Sequence, residues 1–425
     1  MTQTRGIDYG HAVRDAVLAG MVALLVFGPI TGLQLSGYEV VARMQWPLLF
    51  AGIVTLGRFC MAVWVQTEAG ERSLARMRAK RSGGVTVAEG KGKNWQQKLV
   101  PFALIGGLAL PFILMDNRYW LTVVLLALIY VLLGLGLNIV VGLAGLLDLG
   151  YAAFYAVGAY VLAMGAQYWD MGFWGALVLA MVFGALLGML LGFPVLRMHG
   201  DYLAIVTLGF HEIIRLILTN WVSFTGGPNG ASAPLPTLFG LEFSRRAKQG
   251  GQPFHEFFGI DYSASYQYMF VYLILFLFVV AAIVFCVRLR QMPMGRAWEA
   301  LREDEIACRS LGINHVTVKL SAFMMGAMFA GAAGVFFATY QGFVNPTSFT
   351  FIESAMILAI VVLGGLGSIT GVVIAALVLI MLPEVLRDFA SYRVLAFGIV
   401  MVLMMIWRPR GLMHIVRPRF TEKGA

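Results

Sequence analysis

Residues 119–141 read YWLTVVLLALIYVLLGLGLNIVV and contain no charged side chain. A helix of this length, at about 1.5 Å per residue, crosses the ~30 Å hydrocarbon core of a bilayer. Inside lipid, every backbone polar group must be paired within the protein, so a run of this kind predicts a transmembrane helix. The stretch therefore indicates an integral membrane protein.

Similar runs recur along the 425-residue chain, of which 60% is apolar and only 12% charged. Soluble domains carry about 25% charged residues. We therefore expect an all-α integral membrane protein, a polytopic helical bundle of about 10–12 transmembrane helices. The apolar runs lie at 17–35, 46–65, 99–115, 119–141, 150–166, 173–195, 201–219, 267–287, 317–339, 351–364, 369–385 and 393–407.

The glycine-rich segment 364–368, GGLGS, separates the runs 351–364 and 369–385. Glycine favours turns and tolerates backbone conformations that other residues avoid. The two runs therefore fit either two complete crossings or a pair of broken or re-entrant helices.

The distribution of Lys and Arg predicts the orientation of the chain. With an inside N-terminus and alternating crossings, inside segments carry 22 of the 31 Lys and Arg residues and outside segments carry seven. This asymmetry agrees with the positive-inside rule and places both termini in the cytoplasm. The net charge of +9 is then explained by the positive residues of the inside segments. We therefore expect the chain to contact a lipid bilayer and not to bind nucleic acid.

The same pattern divides the chain into four parts. Residues 1–65 are expected to form an N-terminal accessory transmembrane hairpin, and 66–98 a basic cytoplasmic linker. Residues 99–410 form the transmembrane core, and 411–425 a cytoplasmic tail. The core includes a polar inside loop at 288–316.

Two segments of this sequence match known enzyme motifs only in part. The glycines around Lys91 have the wrong spacing for a phosphate-binding loop, and no Ser or Thr follows the lysine. The segment His211 to Arg215 starts like a zinc-protease helix but has arginine where the second histidine ligand is required. We therefore predict no catalytic site, no metal and no cofactor, and no ATP hydrolysis by this chain itself.

The inside loop contains MGRAWEALREDEIACRSLGIN, residues 294–314. Pro293 favours a helix start and Gly312 a helix stop. One amphipathic helix fits, with Leu301, Cys308 and Leu311 on one face, and two short helices joined near residues 303–304 fit as well. The loop is either a solvated amphipathic segment or a docking helix for a cytoplasmic partner.

This loop resembles the coupling-helix, or EAA-like, loop of ABC importer permeases. Four other segments are similar to the LivHM permease family of branched-chain amino-acid importers, in the expected order and over nearly the whole chain. They are GLAGLLDLGYAAFYAVGAY (142–160), GDYLAIVTLGF (200–210), TGGPNG (225–230) and LGGLGS (363–368). Asp148 departs from the expected apolar pattern, and we assign it no family role.

The resemblance implies an ABC importer permease fold with broken or re-entrant helices in a bacterial inner membrane. It implies a multi-pass subunit that translocates leucine, isoleucine or valine, driven by ATP hydrolysis on partner subunits. The implied partners are a LivH-type sister permease, LivG-type and LivF-type ATPases, and a periplasmic branched-chain amino-acid binding protein. The residues expected to couple to the ATPases are Arg296, Glu299, Ala300, Leu301, Glu303, Asp304, Glu305 and Gly312.

A translocation pathway is expected near two groups of residues. Glu212 lies eleven residues beyond Asp201, about 16 Å along a helix and so near the membrane centre. It either serves transport or forms a neutralising ion pair with Arg215. Aromatic residues after position 150 either line an apolar route or face lipid. The full set of pathway candidates is Tyr151, Phe154, Tyr155, Thr207, Glu212 and Arg215.

Small residues at four-residue spacing predict close helix packing. Gly184, Gly188 and Gly192 follow one run, and Gly326, Ala330 and Gly334 follow another.

Two other functions remain open at this point. An ABC permease for another small solute, such as a monosaccharide or other amino acid, shares these general features. A secondary transporter can also use a membrane carboxylate and a broken helix. The inside loop favours the ABC permease, because a secondary transporter has no ATPase to dock.

Overall fold

The computed structural model describes residues 105–115, 117–195, 200–236 and 265–385, together with a strand pair near the N-terminus and short segments elsewhere. The chain divides into two compact units, Met1–Asn94 and Trp95–Ala425. The runs 46–65 and 393–407, the 66–98 linker and the 411–425 tail lie outside the described residues, apart from single positions.

In the first unit, strand β1 (Leu33–Ser36) pairs antiparallel with β2 (Glu39–Ala42). The prediction that the helical run 17–35 extends through Leu33 and Leu35 is wrong at this end. Apolar and polar residues alternate from Leu33 to Ser36, and this period of two suits a strand.

The second unit is built almost entirely from helices. Its long helices are α1 (Arg118–Leu137), α2 (Ala152–Trp169), α3 (Phe173–Val195), α4 (Asp201–Asn220), α6 (Ser265–Gln291), α9 (His315–Gln341), α10 (Phe351–Gly364) and α11 (Ile369–Val385). Short helices are α5 (Val222–Thr225), α7 (Pro293–Glu303) and α8 (Glu305–Ser310), with a π-helical turn at Asn138–Leu143 and 3-10 turns at Gly227–Asn229 and Pro346–Ser348. Two-residue strands pair as β3 (Ala231–Ser232) with β6 (Phe343–Val344), antiparallel, and as β4 (Leu241–Glu242) with β5 (Gln252–Pro253), parallel.

Six helices in the described residues are long and apolar enough to cross a membrane. They are Arg118–Leu143, Phe173–Pro194, Tyr202–Asn220, Ser265–Gln291, His315–Gln341 and Pro346–Gly364, and the shorter apolar helix Ile369–Glu384 accompanies them. The prediction of an all-α, polytopic membrane bundle is confirmed.

Helix α1 lies at the centre of the bundle, whereas α4 lies at its edge. The most apolar window of the α1 span is 94% buried inside the chain, and that of α4 only 28%. Helix α9 packs against α1, α2 and α3. The outer faces of α3, α4 and α6 are therefore left for lipid or for a partner subunit.

Close helix contacts follow the small-residue stripes, as predicted. A side-chain carbon at Gly188 would lie 2.6 Å from the backbone oxygen of Phe323 on α9. A carbon at Gly331 would collide with the backbone of Ala180 on α3, and one at Gly334 with the backbone of α2. The absence of side chains at these positions allows α9 to approach both neighbours.

The predicted break between 364 and 368 is present. Gly365 and Gly367 have φ angles of +101° and +84°, which favour glycine. Asn138, at the start of the π-helical turn, accepts a hydrogen bond from the Gly367 backbone N–H at 2.8 Å. Irregular backbone from two helix breaks therefore meets inside the bundle.

Candidate functional site: the coupling segment and the membrane polar groups

The loop predicted to lie inside forms two helices, α7 and α8, which we call the coupling segment (293–312). Asp304 is extended, with φ −160° and ψ 113°, and ends α7. Its carboxylate caps α8 by accepting hydrogen bonds from the backbone N–H groups of Ile306 (2.7 Å) and Ala307 (3.0 Å). The two-helix alternative is therefore the one that the chain adopts.

Trp298 anchors the coupling segment to the bundle. Its side chain is fully buried, and its indole N–H is 3.0 Å from both the Val318 backbone oxygen and the Ser321 hydroxyl of α9. Glu299 forms an ion pair with Arg290 at the end of α6, at 2.8 Å. Helix α7 is thus fixed to two transmembrane helices, which makes it a rigid element.

Arg302 joins the coupling segment to both helix breaks. Its guanidinium donates a hydrogen bond to the backbone oxygen of Gly142, in the π-helical turn. Its side-chain stem fills the space that a side chain at Gly145 would need, and its guanidinium lies beside Gly367. Sequence reasoning missed Arg302, because nothing local in the sequence shows which distant backbone an arginine contacts.

The exposed surface of the coupling segment differs from the predicted face. Ile306 and Leu311 are 77% and 79% exposed, whereas Leu301 and Cys308 are buried. The prediction that Leu301, Cys308 and Leu311 share one face is wrong, because the extended residue Asp304 interrupts the helix and changes the direction of α8.

The other candidate coupling residues have distinct positions. Arg296, Glu303 and Gly312 are exposed, Ala300 is half-buried, and Glu299 belongs to the ion pair with Arg290. Glu305 is bound within the chain, at 2.6 Å from Arg309 and 2.8 Å from the buried ammonium of Lys319. Gly312 has a φ of +78°, as expected for a helix stop.

The aromatic pathway candidates lie in the core of the chain. Tyr151, Phe154 and Tyr155 are at most 2% exposed, so the alternative that they face lipid is wrong. The Tyr151 hydroxyl donates to the Gly326 backbone oxygen at 2.7 Å. The ring of Tyr155 packs edge-on against Phe349 at 5.1 Å.

The polar candidates of α4 lie on different faces of that helix. Glu212 and Arg215 form the expected ion pair at 3.0 Å, and their side chains are 39% and 37% exposed. Thr207 is buried and accepts a hydrogen bond from the Leu149 backbone N–H at 3.0 Å. The structure therefore separates Thr207 from the Glu212–Arg215 pair.

Two buried polar groups accompany Thr207. Asp148, in the connection before α2, is fully buried and accepts a hydrogen bond from the Gly150 N–H at 2.8 Å. Burial raises the pKa of Asp148 to about 6, and its hydrogen bonds with Gly150 and Thr207 offset part of the rise. His211 lies one turn beyond Thr207 and is also buried. Within the described residues, neither ring nitrogen of His211 has a hydrogen-bond partner.

No group of three or more metal-ligating side chains occurs in the described residues. An apolar helical bundle with two helix breaks, and a rigid polar segment fixed to both, is the architecture of a multi-pass membrane permease. The chain belongs to the family described as branched-chain amino acid transport system / permease component, whose sequence model matches residues 119–407. The resemblance to the LivHM permeases is confirmed.

Curated relatives carry the same description. The chain is 54% identical over 335 residues to the high-affinity branched-chain amino acid transport system permease protein LivM of Escherichia coli (strain K12), covering 78% of this chain and 79% of that protein. It is 54% identical over 336 residues to LivM of Salmonella typhimurium (strain LT2), with the same coverage. The Escherichia coli protein LivH is 28% identical over 300 residues, 67% of this chain and 91% of LivH.

A second family, a domain of unknown function, matches residues 11–112. No solved structure matches the chain.

Proposed function

We propose that this chain is a transmembrane permease subunit of an ABC importer that carries leucine, isoleucine and valine across a bacterial inner membrane. ATP hydrolysis takes place on LivG-type and LivF-type subunits, and a periplasmic binding protein delivers the amino acid. The names of the LivM relatives support the substrate class, and the match to LivH supports a sister permease of related sequence. The 22-to-7 distribution of Lys and Arg supports cytoplasmic termini.

The observation that carries the proposal is the anchored coupling segment. A chain that does not hydrolyse ATP can be driven only through contact with a subunit that does. Ile306 and Leu311 are the most exposed large apolar side chains of the coupling segment. Exposed apolar side chains of this kind fit an apolar cleft in a soluble partner, and the exposed charged side chains of Glu303 and Arg309 belong to the same segment.

Two residues of the coupling segment, Trp298 and Arg302, then transmit its movement to the transmembrane helices. Trp298 fixes α7 to α9, and Arg302 contacts the irregular backbone at Gly142 and Gly367. A shift of the coupling segment on an ATPase is therefore transmitted to the two helix breaks, because packed interiors move as units. The predicted coupling residues keep this role, with Ile306, Leu311 and Arg302 added to them.

The position of the Glu212–Arg215 pair indicates that this face of α4 is shielded from lipid, by a partner subunit or by water. Both side chains are more than a third exposed in this chain, near the membrane centre. Charged groups facing lipid are unfavourable, so this face is expected to contact the LivH-type sister permease along the pathway between the two subunits. Residues 1–65 and 66–98 are proposed to form an accessory hairpin and linker outside this core. The separate family match over 11–112 supports a distinct N-terminal module.

Copurification of the complex tests the docking surface. Replacing Ile306 and Leu311 together with glutamate should release the ATPases from the membrane subunits while the sister permease stays bound. Met292→Glu is the matched control, since Met292 is 51% exposed at the end of α6 but lies off α8. Wild-type retention of the ATPases by the double variant would contradict the docking role of α8.

A further inference from the structure

A second carboxylate lies inside a membrane span, and sequence reasoning did not single it out. Glu353 is in the first turn of α10 and belongs to the span Pro346–Gly364. A carboxylate surrounded by hydrocarbon is unfavourable, so an acidic side chain within a membrane span is expected to bind a partner.

Glu353 lies near the middle of the membrane. It accepts a hydrogen bond from the hydroxyl of Tyr130 on α1. Tyr130 is twelve residues beyond Arg118, the first residue of the α1 span, which places it about 18 Å along that helix. This distance is close to the midpoint of a ~30 Å core.

Two tyrosines, Tyr130 and Tyr155, lie close to the carboxylate, and Tyr155 belongs to a cluster of aromatic rings. Tyr155 is close enough to interact electrostatically with Tyr130 and Glu353. Tyr155, Phe337 and Phe349 contact one another, with ring centroids 5.1 to 5.6 Å apart. An aromatic wall beside a carboxylate is an arrangement that binds ammonium groups, because the ring faces and the carboxylate are both negative.

Glu353 lies next to exposed side chains at the surface of this chain. Glu353 itself is half-buried, and its neighbours Phe351 and Ile352 are 40% and 69% exposed. Among the residues that the structure describes, no Lys or Arg forms an ion pair with Glu353. Within the described residues, the Tyr130 hydrogen bond is therefore the interaction that stabilises the carboxylate, and no cation is paired with it.

We propose that Glu353 binds the α-ammonium group of the transported amino acid at the membrane centre, with Tyr130 positioning the carboxylate. The ammonium group has three donors, and the carboxylate keeps acceptor positions free beyond the one used by Tyr130. The exposed apolar side chains of Phe351 and Ile352 then lie beside the aliphatic part of the substrate. This inference rests on the proposed function and names the substrate group that this site recognises.

Uptake by the full complex in proteoliposomes tests the site, with labelled leucine, loaded binding protein and internal ATP. Glu353→Gln should reduce leucine uptake about tenfold or more, because a neutral amide replaces the charged acceptor. Glu384→Gln is the matched control, since Glu384 also accepts a hydrogen bond from a tyrosine hydroxyl, that of Tyr119, but lies outside this site. It should retain most of the uptake, and Glu353→Asp should restore part of it.

The outcomes separate the site from the proposed function. Wild-type uptake by Glu353→Gln, or an equal loss in Glu384→Gln, would overturn the ammonium site. Failure of Glu353→Gln to assemble would also overturn it, because the carboxylate would then serve folding. If the wild-type complex takes up no branched-chain amino acid, the proposed function itself fails, whatever the variants do.

Discussion

Replacing Arg302 with methionine removes the link between the coupling segment and the π-helical turn. Methionine keeps an unbranched stem against Gly145 but cannot donate to the Gly142 backbone oxygen. The variant should therefore fold and bind the ATPases, because Trp298 and the Glu299–Arg290 ion pair still hold α7. The expected defect lies in transmission and not in docking.

The size of this defect follows from the lost hydrogen bond. A hydrogen bond from a charged donor contributes about 1.5–3 kcal/mol, and Arg302 is half-buried and so only partly screened. A factor of ten in an equilibrium corresponds to about 1.4 kcal/mol. We expect the engaged arrangement of segment and turn to lose about tenfold or more in population relative to the disengaged one.

The assay is the number of leucine molecules transported per ATP hydrolysed by the reconstituted complex. Arg302→Met should leave ATP hydrolysis in place and lower this ratio about tenfold. The matched control is Arg288→Met, which removes the same charge from an exposed position at the end of α6. An unchanged ratio in Arg302→Met, at equal abundance of the complex, would refute the transmission role.

Three further variants test other parts of the structure. Neutralising either Glu212 or Arg215 should reduce the amount of assembled permease, because it leaves an uncompensated charge in the membrane, whereas replacing both with apolar residues should recover abundance. Immunoblots of purified membranes measure this abundance. If the double variant also recovers full uptake, the pair has a structural role alone. For Asp148 the folded-state pKa of about 6 lies above the usual value of 3.8 for this side chain. The folded state therefore holds the proton more tightly and loses stability as pH rises from about 4 to 6, by about 3 kcal/mol at most. Asp148→Asn should abolish that dependence in thermal unfolding of the detergent-purified protein, and an identical pH profile in the variant would contradict it. Gly331→Val should abolish folded protein, since its side chain would collide with the backbone at Ala180, and normal abundance would show that α3 and α9 can separate.

The spans and the helix packing could be predicted because their signals are local. Hydropathy over about 20 residues identifies a crossing, and glycine at four-residue spacing identifies a face that accepts a close neighbour. The break at Gly365 and Gly367 was readable for the same reason, since clustered glycines tolerate the positive φ angles found there.

The details of the site could not be predicted, because they depend on distant contacts. Arg302 and Gly142 are 160 positions apart, and Tyr130 and Glu353 are 223 apart. Periodicity along one helix gave the wrong exposed face for the coupling segment, because the capping residue Asp304 interrupts it. A single sequence shows which residues are polar, but it does not show which polar groups contact one another in the folded chain.

Reconstitution with and without this chain tests whether it is a required subunit of an ATP-driven amino-acid importer. Proteoliposomes would contain the LivH-type permease and both ATPases, with internal ATP and external binding protein loaded with labelled leucine. We expect leucine uptake that requires this chain, requires ATP and persists when ion gradients are dissipated. Uptake in the absence of this chain, or uptake driven by an ion gradient without ATP, would contradict it.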